Sequence, residues 1–333
     1  MKTILVTGGN GFIGSHVVDK LANEDCLIKC LVRKTSRVDY IQPHIDSKKV
    51  ELVFGDITDQ TSLDKALEGI DTVYHFVAIA GKQNVPKEEY EKINYQGTKD
   101  LVDLSIKHGI KKFIYCSSVG VMGNIRQIPA DENTPYNPTN EYERTKMLAE
   151  QYILEKIKNN NFPAVIIRPA IVYGPRNISN MSRMFKAIQD GGYKFFIIGD
   201  GNNCWHLSYA TDVASGFVLA GNSEKAIGQI YIIAGEEPVT MNNMTAIAAG
   251  ILNVAPPKHL PYSLIITAAY CLLLLKKLFK IKVPIEPSGV HFLTNHRAYN
   301  ISKARVDLNY CPEVNIEKGL KNTLAWYQEH GIL

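Results

Sequence analysis

The chain has 333 residues, 45% of them hydrophobic and 21% charged, and a net charge of +4. Length and composition fit one large or two intimately joined globular domains, and the charge is too small to argue for a nucleic-acid partner. Six scattered cysteines (Cys26, Cys30, Cys116, Cys204, Cys271 and Cys311) offer one close pair and no second, so no metal site is expected. Burial as small apolar residues in a reducing compartment is expected instead.

Met1-Lys2 runs straight into the apolar stretch Thr3-Ile4-Leu5-Val6, so no signal peptide is expected and the predicted location is cytoplasmic. That stretch reads as a buried strand feeding the turn Thr7-Gly8-Gly9-Asn10-Gly11, with a helical pattern resuming at Gly14 and running to about Ala22. Further strands are predicted at 27–32, 50–54, 72–77, 112–116 and 164–168. Helical segments fall at 63–67, 90–108 and 142–158. Strands alternating with helices predict an α/β fold: a Rossmann-type doubly wound parallel sheet with helices on both faces. After Pro169 the rhythm loosens. Helical pieces at 181–189 and 212–220 precede a strand at 229–234 that is expected to return to the sheet. From Val239 onward the pattern suggests a smaller, mostly helical substrate lobe. The predicted division is a dinucleotide-binding domain over 1–175, rejoined by 205–234, with 176–204 and 235–333 as the substrate lobe.

Residues 263–275 are almost entirely apolar and are followed by Lys276, Lys277, Lys280 and Lys282. Thirteen helical residues span roughly 20 Å, short of the roughly 30 Å hydrocarbon core, so a membrane crossing is not expected. Two readings stay open: a helix buried in the lobe or at a subunit contact, or an interfacial helix over 263–282 that touches a bilayer, its lysines at the headgroups.

Several short motifs carry chemistry. Gly8-x-x-Gly11-x-x-Gly14 follows a strand and opens a helix. There Gly8 permits a sharp turn, Gly11 lets a pyrophosphate approach the backbone and Gly14 allows close helix–strand packing. At the end of the second strand stand Arg33 and Lys34 and no acid, which favours a 2′-phosphate and hence NADP, with NAD as the alternative; a solvated basic turn is the plainer reading. Asp56 and Ile57 follow the third strand, where Asp56 can accept from an adenine amino group with Ile57 on the ring, or simply cap a helix before Thr58. Tyr142 and Lys146 lie one helical turn apart on the same helix face, where the cation should lower the phenol pKa. Ser117-Ser118 stand at a strand end upstream, within the same predicted unit.

Together these stretches resemble the extended short-chain dehydrogenase/reductase family, the NAD(P)-dependent epimerase/dehydratase superfamily. The resemblance also rests on His75-Phe76-Val77-Ala78, Asn94-Tyr95-Gln96-Gly97-Thr98, Ser117 to Gly123, and Arg168-Pro169-Ala170-Ile171-Val172-Tyr173-Gly174-Pro175. It implies that Gly8, Gly11, Phe12, Ile13 and Gly14 hold a dinucleotide. Tyr142 would be the general acid/base, and Lys146 would hold the nicotinamide ribose. Ser118 would bond the reacting oxygen, with Ser117 as its neighbouring alternative. Asn94 would organise the nearby loop, and Ala78, Pro169, Ile171 and Val172 would line the nicotinamide pocket. The resemblance also implies a homodimer paired through the Tyr142–Lys146 helix.

The substrate is less defined. Family members that act on nucleotide sugars carry an arginine shortly after Gly-Asp-Gly; here Gly199-Asp200-Gly201 leads to Trp205. An indole cannot neutralise a diphosphate, though it can stack on a flat apolar substrate. Met122 replaces an aromatic of the family and would make the substrate wall more apolar. The C-terminal half is similar to the 3β-hydroxysteroid dehydrogenase and dihydroflavonol reductase branch. An NADP-dependent oxidoreductase acting on a hydrophobic hydroxy or keto compound is the leading expectation. A nucleotide-sugar epimerase, dehydratase or reductase is the alternative, with Trp205 in the core and Arg176 or Arg183 reaching a phosphate. A non-catalytic dinucleotide sensor is disfavoured, because it has no need of Ser118, Tyr142 and Lys146.

Overall fold

The computed structural model describes residues 1–80, 85–178, 180–191, 195–279 and 286–333. Seven strands form the main sheet: β1 (Lys2–Thr7), β2 (Cys26–Val32), β3 (Val50–Phe54), β4 (Thr72–His75), β5 (Lys112–Cys116), β6 (Ala164–Pro169) and β7 (Ile230–Ile233). Their order is β7-β6-β5-β4-β1-β2-β3, and every neighbouring pair is parallel. The order reverses between β1 and β4, the position where such sheets open a crevice for ligands at the strands' carboxyl ends.

Alternation along the strands explains the two covered faces. Ile4 and Val6 of β1 and Ile114 of β5 point to one apolar layer, packed under Val17, Val18 and Leu21 of α1 (Phe12–Leu21). Leu5, Phe113 and Tyr115 point to the other, beneath Leu101 and Val102 of α2 (Gly97–Lys107) and Ala149 and Ile153 of α3 (Glu141–Asn160). Helix α3 has a reciprocal start. The Asn140 side chain accepts from the Glu143 N–H at 3.0 Å, and the Glu143 carboxylate accepts from the Thr139 N–H at 2.7 Å. It ends at Asn161 in the left-handed region.

The predicted strand 72–77 stops at His75, and the predicted helix 90–108 is not uniform. It opens as a short α-turn, passes through a π-helical turn at Glu91–Gln96 and continues as α2. The extra residue in that turn carries Asn94.

The C-terminal lobe has its own apolar cluster, including Phe185, Trp205, Leu207, Met244, Leu320, Leu324 and Tyr327. Three two-stranded pairings that the pattern did not reveal stitch it together. Ile171–Tyr173 runs beside Leu207–Tyr209, Cys204–Trp205 is antiparallel to Val239–Thr240, and Ile197–Ile198 is parallel to His259–Leu260. These strands are two or three residues long, below the length at which alternation is legible.

Helix α4 (Tyr262–Phe279) packs beside α5 (Pro287–Thr294). The buried-helix reading fails for α4: among its described side chains only Ala269 is buried. Lys276 pairs with Glu286; Lys280 and Lys282 lie outside the described residues. Among the described residues no helix is long and apolar enough to cross a membrane. The cysteine expectation needs correction too. Cys26, Cys30 and Cys116 are buried, but Cys271 and Cys311 are exposed, because α4 leaves its outer face open and Cys311 follows the cap of a short helix.

Candidate active site

The glycine turn is shaped by close approach. Gly8 has φ +72°, and the Gly11 N–H donates to the Gly8 carbonyl at 3.0 Å. A Cβ on Gly14 would stand 2.2 Å from that same carbonyl oxygen. Gly11 caps α1 in extended backbone with no side-chain cap, so the first N–H groups of the helix, at Phe12 and Ile13, keep their donors for an anion. This bare, side-chain-free cradle at a helix N-terminus fits a dinucleotide pyrophosphate.

Around it, Arg33 and Lys34 are exposed at the carboxyl end of β2, and the Arg33 backbone closes a turn with Ser36. Asp56 has spent one carboxylate oxygen locally, accepting from the Thr58 N–H at 2.9 Å and the Thr58 hydroxyl at 2.8 Å. Ile57 is 6% exposed and packs against Gly97, which places it in the layer beneath the sheet. Asp56 thus makes the cap before Thr58 with one carboxylate oxygen, and Ile57 packs within the chain.

The reacting side chains gather where β4, β5 and β6 end. The Tyr142 phenol stands beside Ser118, and the Ser118 hydroxyl accepts from the Gly120 N–H at 3.0 Å as the cap of a short 3-10 turn. Lys146 donates to the Cys116 carbonyl at 2.6 Å and lies over the Tyr115 ring at 4.7 Å. Ser117 ties β5 to β6 through its N–H, which donates to the Ile167 carbonyl, while its buried hydroxyl has no partner among the described residues. That unpaired hydroxyl, just past the carboxyl end of β5, is a second feature that a bound dinucleotide can satisfy.

The expected fall in the Tyr142 pKa is not found. Burial pushes the phenol well above its ordinary value, and the nearby Ser118 hydroxyl offsets only part of that rise. The cause is placement: the Lys146 ammonium is held by a main-chain carbonyl, and burial lowers its own pKa. In the protein alone the pair therefore favours a protonated phenol.

Asn94 behaves as the loop organiser. Its carbonyl oxygen accepts from the Ile79 N–H at 2.7 Å, and its amide donates to the Ile79 carbonyl at 3.1 Å and to Thr145 Oγ1 at 3.2 Å. One fully buried side chain thereby fixes the segment carrying Ala78 to the helix carrying Tyr142. Ala78, Ile171 and Val172 are half-buried and Pro169 is buried, all at carboxyl ends of sheet strands or just beyond.

A supporting network runs behind α3. Glu150, fully buried, accepts from the Arg168 guanidinium at 2.7 Å and from the Tyr136 hydroxyl at 2.9 Å, while Arg168 also donates to the Glu132 carbonyl at 3.0 Å. Arg168 stood in a quoted motif, but its partner Glu150 carried no sequence signal beyond lying on a helix.

Two expected substrate residues are corrected. Met122 is fully buried in the apolar layer against the sheet, so it is a core side chain. Trp205 is 3% exposed, packed edge-to-face on Phe292 at 5.6 Å, and its indole N–H is unpaired. The arginine alternatives fail as well: Arg176 pairs with Asp19 beside α1, and Arg183 points to solvent. The residue that sequence reasoning missed is Arg297. It forms a β-bridge with Trp205, is 8% exposed, lies over the Phe292 ring at 4.4 Å and stands near the Tyr299 phenol. It has no carboxylate partner among the described residues, and its Nε is unpaired. A bridge between residues so distant in sequence leaves no local pattern to find.

Residues 4–234 match the NAD dependent epimerase/dehydratase family. The chain belongs to that family, and it is an NAD(P)-dependent enzyme of the extended short-chain dehydrogenase/reductase type. It is 31% identical to 3beta-hydroxysteroid-dehydrogenase/decarboxylase isoform 1 of Arabidopsis thaliana, over 96% of this chain and 78% of that protein. It is 30% identical to the N-acetyl-alpha-D-glucosaminyl-diphospho-ditrans,octacis-undecaprenol 4-epimerase of Escherichia coli O157:H7, over 98% and 96% of the two chains. Among solved structures, UDP-glucuronic acid 4-epimerase from Bacillus cereus in complex with UDP-glucuronic acid and NAD superposes with a TM-score of 0.80. That enzyme is 26% identical, with 98% of this chain and 99% of the other covered.

Proposed function

We propose that this enzyme moves a hydride between a nicotinamide dinucleotide and a hydroxyl-bearing or ketone carbon of a hydrophobic, sterol- or isoprenoid-like substrate. The observation that carries the reading is the Tyr142 phenol standing beside Ser118, on a helix locked to the Ala78 segment by Asn94. The bound dinucleotide supplies the hydride acceptor or donor. The protein's share is the proton. Tyr142, kept protonated by burial, donates to a ketone oxygen and recovers that proton from an alcohol in the reverse direction. Ser118 offers a second hydroxyl to the same oxygen, and Lys146 is placed to steady the ribose side. Likeness to sterol dehydrogenases over nearly the whole chain supports the apolar substrate.

Replacing Tyr142 by Phe should lower kcat by about 10²–10⁴-fold and leave dinucleotide affinity within a factor of two. Initial rates of NAD(P)H absorbance change with sterol and long-chain keto compounds, set beside dinucleotide titration, measure both; near-normal turnover would refute the assignment. NADP preference is part of the proposal, resting on exposed Arg33 and Lys34 and the absence of an acid at that strand end. Arg33→Asp should shift the kcat/KM ratio toward NAD by about tenfold or more; an unchanged ratio removes Arg33 from cofactor choice.

A second reading draws on Arg297. A buried guanidinium without a carboxylate suits an anionic substrate group, and the E. coli relative is named for a sugar joined to a polyprenol through a diphosphate. An epimerase of that kind would retain its dinucleotide tightly and consume no net NAD(P)H, which the same assay distinguishes.

A further inference from the structure

We propose that α4 lies flat on an anionic lipid bilayer, its open face among the acyl chains and the lysines that follow it among the headgroups. The proposal rests on the surface of the lobe and is independent of the substrate reading.

The open face is long and apolar. Leu264 is 59% exposed, Tyr270 52%, Leu274 61% and Phe279 67%, and Phe292 of α5 extends the patch. Leu264, Ala268, Cys271 and Leu275 recur at helical spacing, and all are exposed. The sequence from 261 through 275 carries no charged residue. A lone exposed leucine is ordinary, but a contiguous apolar stripe along an 18-residue helix marks a contact surface. At 1.5 Å per residue the helix is about 27 Å long, and among the described residues no helix is long and apolar enough to cross a membrane. It is suited to lying in the interface plane instead.

Charge selects the occupant. Residues 238–285 contain no aspartate or glutamate and five lysines: Lys258, Lys276, Lys277, Lys280 and Lys282. Glu286, just past that stretch, pairs with Lys276; a second copy on this face would still set one lysine-rich end against another. An anionic bilayer complements both the stripe and the lysines. The patch is also joined to the site: the Tyr262 hydroxyl is 3.5 Å from His291 Nδ1 on α5, and Phe292 on the same helix packs on Trp205 and Arg297. Docking through α4 therefore brings the lobe's inner wall close to the bilayer surface. A substrate of the lipid class proposed above would enter from the membrane.

The test is co-sedimentation of the full-length protein with vesicles of phosphatidylcholine alone or enriched in phosphatidylglycerol. Wild type should pellet with the phosphatidylglycerol vesicles and be released by salt. The double variant Leu264→Glu, Leu274→Glu should lose about tenfold or more of this partition, with dinucleotide binding and thermal midpoint unchanged. Should that variant not fold, Leu274→Trp keeps the face apolar; its emission should shift to the blue on these vesicles and be quenched by brominated lipid. Wild type remaining in the supernatant, a double variant that binds like wild type, or unshifted Leu274→Trp emission would each overturn the proposal. So would a concentration-dependent dimer that Leu274→Glu dissociates in the absence of vesicle binding, because the face would then belong to a second copy.

Discussion

The sheet half and the C-terminal lobe treat buried charges differently, although among the described residues both leave some buried polar atoms unpaired, the Tyr74 and Ser117 hydroxyls in the sheet half among them. Around the sheet, Glu150 meets Arg168 and Tyr136, Asn94 meets Ile79 and Thr145, His75 sits between Thr7 and Thr98, and Lys146 rests on a carbonyl. In the lobe, Arg297 is buried without a carboxylate, the Trp205 indole N–H is unpaired, and α4 leaves an apolar face open. A buried polar group without a partner is costly, so internal pairing marks a scaffold set by its own chain. On the proposed function, the reaction type belongs to the first region and the choice of substrate to the second.

The largest test of this contrast is Glu150→Ala. It strands the Arg168 guanidinium in a fully buried position and should cost about 3–5 kcal/mol of stability, seen as a lower urea midpoint. A loss under about 1 kcal/mol would mean that the network does not hold the sheet half together. The next is acid. Burial pulls the His75 pKa down from 6.5 to about 3, with the Lys146 charge contributing. The unfolded chain therefore binds this proton first. Its contribution is fully present above pH 6.5 and is lost as the pH falls toward about 3, at up to about 1.4 kcal/mol per pH unit. Urea melts at neutral and mildly acidic pH should show this slope in wild type and a shallower one in His75→Gln; equal slopes would separate His75 from acid sensitivity. The smallest effect sharpens the other side. Arg297→Met should change stability by no more than about 1 kcal/mol in either direction, since no carboxylate is left behind, while the KM of the organic substrate rises and dinucleotide affinity holds. A loss of several kcal/mol would make Arg297 structural and dissolve the contrast.

The same division decides what the sequence discloses. The glycine turn, the strand rhythm, the Tyr142–Lys146 spacing and the loop role of Asn94 are local or lie at strand ends, where pattern and position coincide. What escaped was set across the fold. The Lys146 ammonium is drawn to the Cys116 carbonyl of β5, so a rule about residues one turn apart gave the wrong direction for the Tyr142 phenol. Trp205 occupies an expected arginine position in the chain, yet the guanidinium comes from Arg297 on a neighbouring extended segment, reached only through a β-bridge. Apolar composition at 263–275 could not distinguish burial from exposure, because an all-round apolar helix has no inward face to read.

The cradle at the start of the chain bears on how this enzyme can be altered. Gly14 has no room for a methyl group against the Gly8 carbonyl, and Gly8 holds a conformation that other residues resist. Arg33 and Lys34 stand exposed on a separate turn. On the proposed cofactor reading, grip on the dinucleotide and choice between dinucleotides are physically separable traits. Redesign of the coenzyme requirement can proceed at 33 and 34, with the backbone turn kept as an unalterable fixture.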